Sequence, residues 1–252
     1  MKPTFLCTFL LLGIVSTTAQ ASMESVETTV TKAREYLGGD AKLNAIHSLQ
    51  YRGTVTLYQG KDAEGNDREP LVGDAILSFQ KPSSQKIEFH FPEQSLVTGF
   101  NGYEGYEYLE IQQEVGDPMR NVRSIGGEEL RRNKAAAIEN LRFFRPFEFS
   151  ETNVKDHGTT EEAGKSAHRI DFIHNGKFIF SRLFDTETGD LLRTDLDTGM
   201  VTYETGEMWV EGVRFSTHTR GVLNGETRYE MIFETIVINP ELAPDLFDYP
   251  MF

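Results

Sequence analysis

Apolar residues recur along this chain with two periods. Val26, Val30, Ala33 and Leu37 are spaced by four, three and four, the rhythm of one helical face. Gly38-Gly39 ends that helix, and Asp40 is placed to cap a short second turn through Ile46. From Leu49 the period becomes two. Leu49, Tyr51, Val55 and Leu57 alternate with Gln50, Arg52, Thr54 and Thr56, which predicts a strand with one buried and one wet face. The polar stretch 59–70 reads as a long loop, followed by strands over 74–80, 85–91 and 95–100. Asn101-Gly102 suits a type I′ turn into a strand over 103–112, because both central positions of such a turn need positive φ.

The middle of the chain departs from this rhythm. Residues 128–141 are rich in Glu, Arg, Ala and Leu, with Leu130, Lys134, Ile138 and Leu141 along one side, and predict a helix. Phe143-Phe144-Arg145-Pro146-Phe147-Glu148-Phe149 follows, four phenylalanines in seven residues around a proline that no helix continues through. Strands resume over 166–174, 177–184, 190–197, 201–209, 213–223 and 227–238, separated by turns such as Asn175-Gly176, Thr188-Gly189 and Asn224-Gly225. Connections this short join antiparallel neighbours. The pattern predicts a mainly β fold: one domain built on a single curled antiparallel sheet of about ten strands, a half-barrel, with helices covering its concave face.

Alternation then names the inward positions. They are Tyr51 and Leu57 on the first strand, Leu77 and Phe79 on the second, and Phe89 and Phe91 on the third. Past the middle come Phe178 and Phe180, and on the last strand Tyr229, Met231 and Phe233, with Thr235 and Val237 continuing that face. If the helices pack tightly, these residues are a plain core; if the helices form a lid, the same residues line a cavity for a lipid-like ligand. Phe144 and Phe147 join the set as a hinge-and-plug over such a pocket, the alternative being a buried packing loop.

Charge narrows the partners. With 25 Lys+Arg against 39 Asp+Glu the chain carries 14 net negative charges, a poor match for nucleic acid or an anionic membrane surface. Its 18 Phe and 9 Tyr are too many for a disordered acidic chain. At the start, Lys2, the apolar run 5–15 and Ala19-Gln20-Ala21 read as a secretory signal peptide over 1–21, leaving a domain over 22–252 that begins at Ser22 and is exported to the periplasm. About eleven apolar residues are too few to cross a bilayer of about 30 Å, and no stable membrane insertion is expected. The lone Cys7 lies inside this segment, so no disulfide or thiolate chemistry is expected in the remainder.

No catalytic set emerges. His168 and His174 share a strand face while Asp171 points the other way, and His47, His90, His157 and His218 are scattered singly. Neither H-E-x-x-H nor G-x-S-x-G occurs. Gly126-Gly127 precedes a helix, but Glu128 and Glu129 there repel phosphate. The expectation is a non-enzyme without cofactor or bound metal.

The run Phe184-Asp185-Thr186-Glu187-Thr188-Gly189-Asp190-Leu191-Leu192 resembles the "fd..tg.p" hairpin of the LolA-like family of periplasmic lipoprotein-sorting proteins. Tyr203 through Trp209-Val210-Glu211-Gly212-Val213-Arg214-Phe215 matches its "y...w..v.Gv.fP" strand pair, with Ser216 where the family has Pro. Ile238-Asn239-Pro240-Glu241-Leu242, Asp245-Leu246-Phe247 and Pro250 match its tail, and Tyr36-Leu37-Gly38-Gly39 and Gly53-Thr54-Val55 its start. The resemblance implies a half-barrel closed by helices around a cavity that receives acyl chains, and an envelope protein as donor or acceptor. Two readings follow: a carrier of a lipid, lipidated protein or other amphiphile, or a packed-core module for protein–protein contact in the envelope.

Overall fold

The computed structural model describes residues 15–61, 64–145 and 152–250. Most of the expected signal peptide and the candidate Phe147 lie outside them. Helix α1 (Val15–Leu37) runs through Ala19-Gln20-Ala21, and α2 (Asp40–Asn44) follows after Gly39. Asp40 is the first helical residue rather than the cap, and its carboxylate accepts a hydrogen bond from Arg34 Nε. Val26, Val30 and Ala33 are buried, as the period predicts.

The first run of strands is β1 (Ser48–Leu57), β2 (Leu71–Gln80), β3 (Ser84–His90), β4 (Gln94–Phe100), β5 (Gly105–Ile111) and β6 (Met119–Ile125). Helix α3 (Gly127–Leu141) separates these from β7 (Thr152–Glu162), β8 (Lys165–His174), β9 (Lys177–Asp185), β10 (Leu191–Leu196) and β11 (Met200–Thr205). A short hairpin, β12 (Met208–Val210) and β13 (Val213–Phe215), precedes β14 (His218–Leu223) and β15 (Glu226–Ile238). Thirteen strands form one open antiparallel sheet, ordered β6-β5-β4-β3-β2-β1-β15-β14-β11-β10-β9-β8-β7, and β12-β13 stands apart as a two-stranded sheet.

About ten expected strands are therefore fifteen. β6 and β7 escape the alternation rule because they are polar edge strands with little buried surface. The segments 201–209 and 213–223 each divide in two where β12-β13 leaves the sheet. Asn101-Gly102 makes no I′ turn: Asn101 Oδ1 instead accepts from the backbone amides of Tyr103 and Glu104, an Asx-type loop.

The sheet must curl. Helix α3 touches β3 and β2 on one side and β9 on the other, and β3 and β9 stand seven strands apart in the order. Seven strand spacings would separate them by ~33 Å in a flat sheet, about three helix diameters. Helix and sheet enclose two clusters. One joins Leu49, Val55, Leu77, Phe215 and Phe233; the other joins Val26, Val30, Phe172, Phe180 and Phe184. The buried face of α3 is Ala135, Ala137, Glu139 and Leu141, rotated from the predicted stripe so that Leu130 and Ile138 are half-buried.

Two bulges alter which residues face inward. On β15 the pairing with β1 skips Glu234, so the buried series runs Phe233, Ile236, Ile238, and Val237 is exposed. On β9 the pairing with β8 skips Ile179, so Phe180 and Ile179 are buried while Phe178 is exposed. Phe178 is therefore not an inward residue of the sheet.

Candidate ligand cavity

Between α1, α3 and the curled sheet lies a cavity of about 270 Å³. Its apolar wall comes from β1 (Leu49, Tyr51), β2 (Leu77, Phe79) and β15 (Met231, Phe233), closed by Phe215 of the β12-β13 hairpin. Tyr51 is the centre of this wall. Its ring meets Phe79 and Phe215 edge-on at 6.0 Å each and Phe233 at 5.1 Å. Burial raises the Tyr51 phenol well above its ordinary range, so it stays neutral.

Leu141, Phe143 and Phe144 close the space from the α3 side. The helix ends by two successive left-handed residues, Phe143 (φ 50°) and Phe144 (φ 71°), a conformation that bulky side chains adopt only when held. Arg34 of α1 holds it. The buried guanidinium donates from Nη1 to the carbonyls of Arg142 (2.8 Å) and Phe143 (2.7 Å), and from Nη2 to Asn44 Oδ1 (2.8 Å). Phe144 is thereby packed on Phe184, centroids 5.0 Å apart.

Of the expected ligand-facing residues, Tyr51, Leu77, Phe79, Phe144, Met231 and Phe233 line the cavity together. Leu57, Phe89 and Phe91 sit in the adjoining core behind them. Phe180 belongs to the second cluster, and Tyr229 packs over Gly221 with its phenol hydrogen-bonded to Thr202. Phe178 lines a separate recess with Arg131, Arg132 and Ile138 of α3, away from the others.

The alternation rule missed the polar end. Arg182, Glu204, Asp190, Arg214 and Tyr36 also line the cavity. Arg214 stacks on Tyr36 at 4.4 Å and pairs with Asp190 (3.5 Å) and Glu207 (3.1 Å). Glu204 lines the cavity with its side chain exposed. Protein packed around it partly desolvates its carboxyl and raises it above the ordinary value, opposed by Arg182, and Asp190 is raised by desolvation too. A signal for Arg182 was present: Phe180, Arg182 and Phe184 alternate inward, and a lone charge in such a row is unusual.

The histidines do not converge. His168 Nε2 pairs with Asp156 (2.7 Å), His157 with Asp171 (2.7 Å) and His174 with Glu139 (3.3 Å), each at its own place. Among the described residues no three His, Cys, Asp or Glu side chains gather as metal ligands. No helix of the described residues is long and apolar enough to cross a membrane.

The motifs of the C-terminal third have structural work in this frame. Asp185 Oδ1 accepts from the amides of Glu187 and Thr188, building the hairpin that ends at Gly189. A Cβ on Gly189 would lie 2.7 Å from the Lys32 backbone, so this glycine lets α1 dock on the sheet. Asn239 ties the two ends of the sheet's middle together: Oδ1 accepts from the amides of His47 and Ser48, and Nδ2 donates to Ala45 O.

No protein-family model matches the chain, and no curated protein matches its sequence. Solved structures do. A DUF1329 family protein from Desulfovibrio piger aligns over 89% of this chain and 97% of its own, with a TM-score of 0.54 at 12% identity. A domain provisionally assigned to outer membrane lipoprotein sorting from Vibrio parahaemolyticus covers 88% and 97%, with a TM-score of 0.49 at 11% identity. A LolA superfamily protein from Nitrosomonas europaea covers 88% and 97%, with a TM-score of 0.44 at 9% identity. The likeness to the DUF1329 family protein, at 12% identity, is a likeness of fold alone.

Proposed function

We propose that this chain is a soluble envelope carrier that shelters an acyl chain, free or attached to a larger molecule, inside a half-barrel. The observation that carries the reading is the cavity: about 270 Å³ walled by Tyr51, Leu77, Phe79, Met231 and Phe233, where a packed-core module would be filled. The volume, about 270 Å³, stands just below the usual range of ligand pockets, which runs from about 300 Å³ upward. It matches part of an acyl chain rather than a whole lipid. Each methylene sheltered there gains about 0.8 kcal/mol, so a segment of chain suffices for retention. Nothing in the chemistry of burial requires a catalytic group, and the reading is of a non-enzyme.

Export belongs to the same proposal. Removal of residues 1–21 would leave the buried positions Val26, Val30 and Ala33 of α1 in place. N-terminal sequencing of the protein from its own periplasm should begin at Ser22. The carrier reading itself is tested by native mass spectrometry and lipid extraction of that material, with titration of a fluorescent fatty-acyl probe. A co-purifying amphiphile or saturable probe uptake is expected. Reproducible absence of both would overturn the carrier in favour of the interaction module.

A further inference from the structure

Arg182 is a charge that simple burial of a chain leaves unexplained. It stands on β9 with 5% of its surface exposed. Three rings enclose it: the guanidinium carbon lies 4.2 Å from the Phe180 centroid, 4.7 Å from Phe144 and 5.2 Å from Phe172. Among the described residues the guanidinium makes one hydrogen bond, from Nη2 to Asn140 Oδ1, 2.5 Å away. Nε and Nη1 have no hydrogen-bond partner among the described residues. Among those residues, too, no carboxylate oxygen pairs with it within 4.0 Å.

A buried cation without an anion is costly, and guanidinium is built to bind oxyanions through several donors at once. Burial pushes Arg182 down to about 10, so it keeps its charge at neutral pH. The other charges around the cavity are committed or weakened. Arg214 is paired with Asp190 and Glu207, and Glu139 is hydrogen-bonded by Arg142 and Thr152. Glu204 lines the same space and acts on Arg182 electrostatically, but its exposed carboxylate makes no ion pair with the guanidinium.

We propose that the cavity takes an anionic amphiphile, a single alkyl chain ending in a carboxylate or phosphate monoester. Arg182 binds the oxyanion while the chain lies along Tyr51, Leu77, Phe79 and Phe233. This rests on the carrier reading and names its ligand class. Phe172 and Phe180 are fixed in strands, whereas Phe144 lies on the left-handed segment after α3. Phe144 is the ring that turns aside, so that an ion pair replaces its contact with the cation.

The test compares dodecanoate and dodecyl phosphate, each below its micellar concentration, and dodecan-1-ol below its solubility limit, as competitors of a neutral fluorescent alkyl probe. At about pH 8, where a carboxylic acid is ionised, the wild-type chain should bind one or both anions at least about tenfold tighter than the alcohol. Which anion is preferred identifies the head group. R182M should lose that preference while keeping its affinity for dodecan-1-ol. Binding of neither anion tighter than the alcohol by the wild-type chain overturns the proposal, whether or not R182M folds. So does a preference that survives in a folded R182M. Failure of all three ligands to compete, with no probe uptake, instead overturns the carrier reading beneath it.

Discussion

Arg34 Nη1 donates a 2.7 Å hydrogen bond to the backbone carbonyl of Phe143, a residue 109 positions further along the chain. Through it the first helix fixes the exit of α3, and with that the position of Phe143 and Phe144 at the cavity. Arg34→Leu would leave two part-buried carbonyls and Asn44 without this donor. The expected cost is about 3 kcal/mol, or a fall in Tm of about 10 °C. Calorimetry of the two proteins decides it; an unchanged Tm would show that the segment holds its shape without the arginine.

Gly189 and Gly225 offer a matched comparison. Both have left-handed backbones, φ 83° and 82°, but a Cβ on Gly189 would meet the Lys32 backbone at 2.7 Å, whereas a Cβ on Gly225 meets nothing within 4 Å. Gly225→Ala should cost about 1 kcal/mol for the backbone alone. Gly189→Ala should cost at least about 3 kcal/mol, because α1 has to move off the hairpin. Urea midpoints of the pair measure the difference, and equal costs would mean that α1 docks loosely there.

Glu204 gives the interior a pH dependence. Its side chain is exposed, yet the protein around the cavity partly desolvates the carboxyl and raises it above the ordinary value of 4.5. The folded state thus holds the proton to higher pH than the unfolded chain does. Stability from this group is present below 4.5 and is lost as pH rises through the raised folded value. Glu204→Gln should therefore be more stable than the parent at about pH 8, and the advantage should shrink on acidification. Denaturant titrations across that range check the sign, and an advantage that grows toward acid would refute it.

The empty space itself can be filled. Met231 lines the cavity and is only partly buried, so Met231→Trp can extend an indole into it with little strain elsewhere. Uptake of an acyl probe should fall at least about tenfold while Tm stays within about 3 °C. A variant that binds the probe as the parent does would place binding elsewhere on the molecule.

Much of this arrangement is legible in the sequence, and the misses have causes. Leu49, Tyr51, Val55 and Leu57 announce β1 because that strand is wet on one side and packed on the other. Met119-Arg120-Asn121-Val122-Arg123 does not announce β6, since an edge strand with little to bury carries no alternation. Phe178 and Val237 were assigned inward by parity, and each is displaced by a single bulged residue that no local pattern marks. Arg182 was passed over for a different reason. Period-2 reading asks where the apolar residues go, and the three phenylalanine rings that enclose this cation come from β8, β9 and the end of α3, far apart in sequence.

The sheet begins at β6 and ends at β7, and these two strands are not neighbours. A closed barrel resists dilation, because strand ladders join each other all the way round. Here the circumference has a seam. Widening it bends strands and parts side chains across the gap, and no backbone ladder has to break. The resting volume of about 270 Å³ is accordingly a starting point, and on the proposed carrier reading a bulkier guest would be admitted elastically while the chain stays folded.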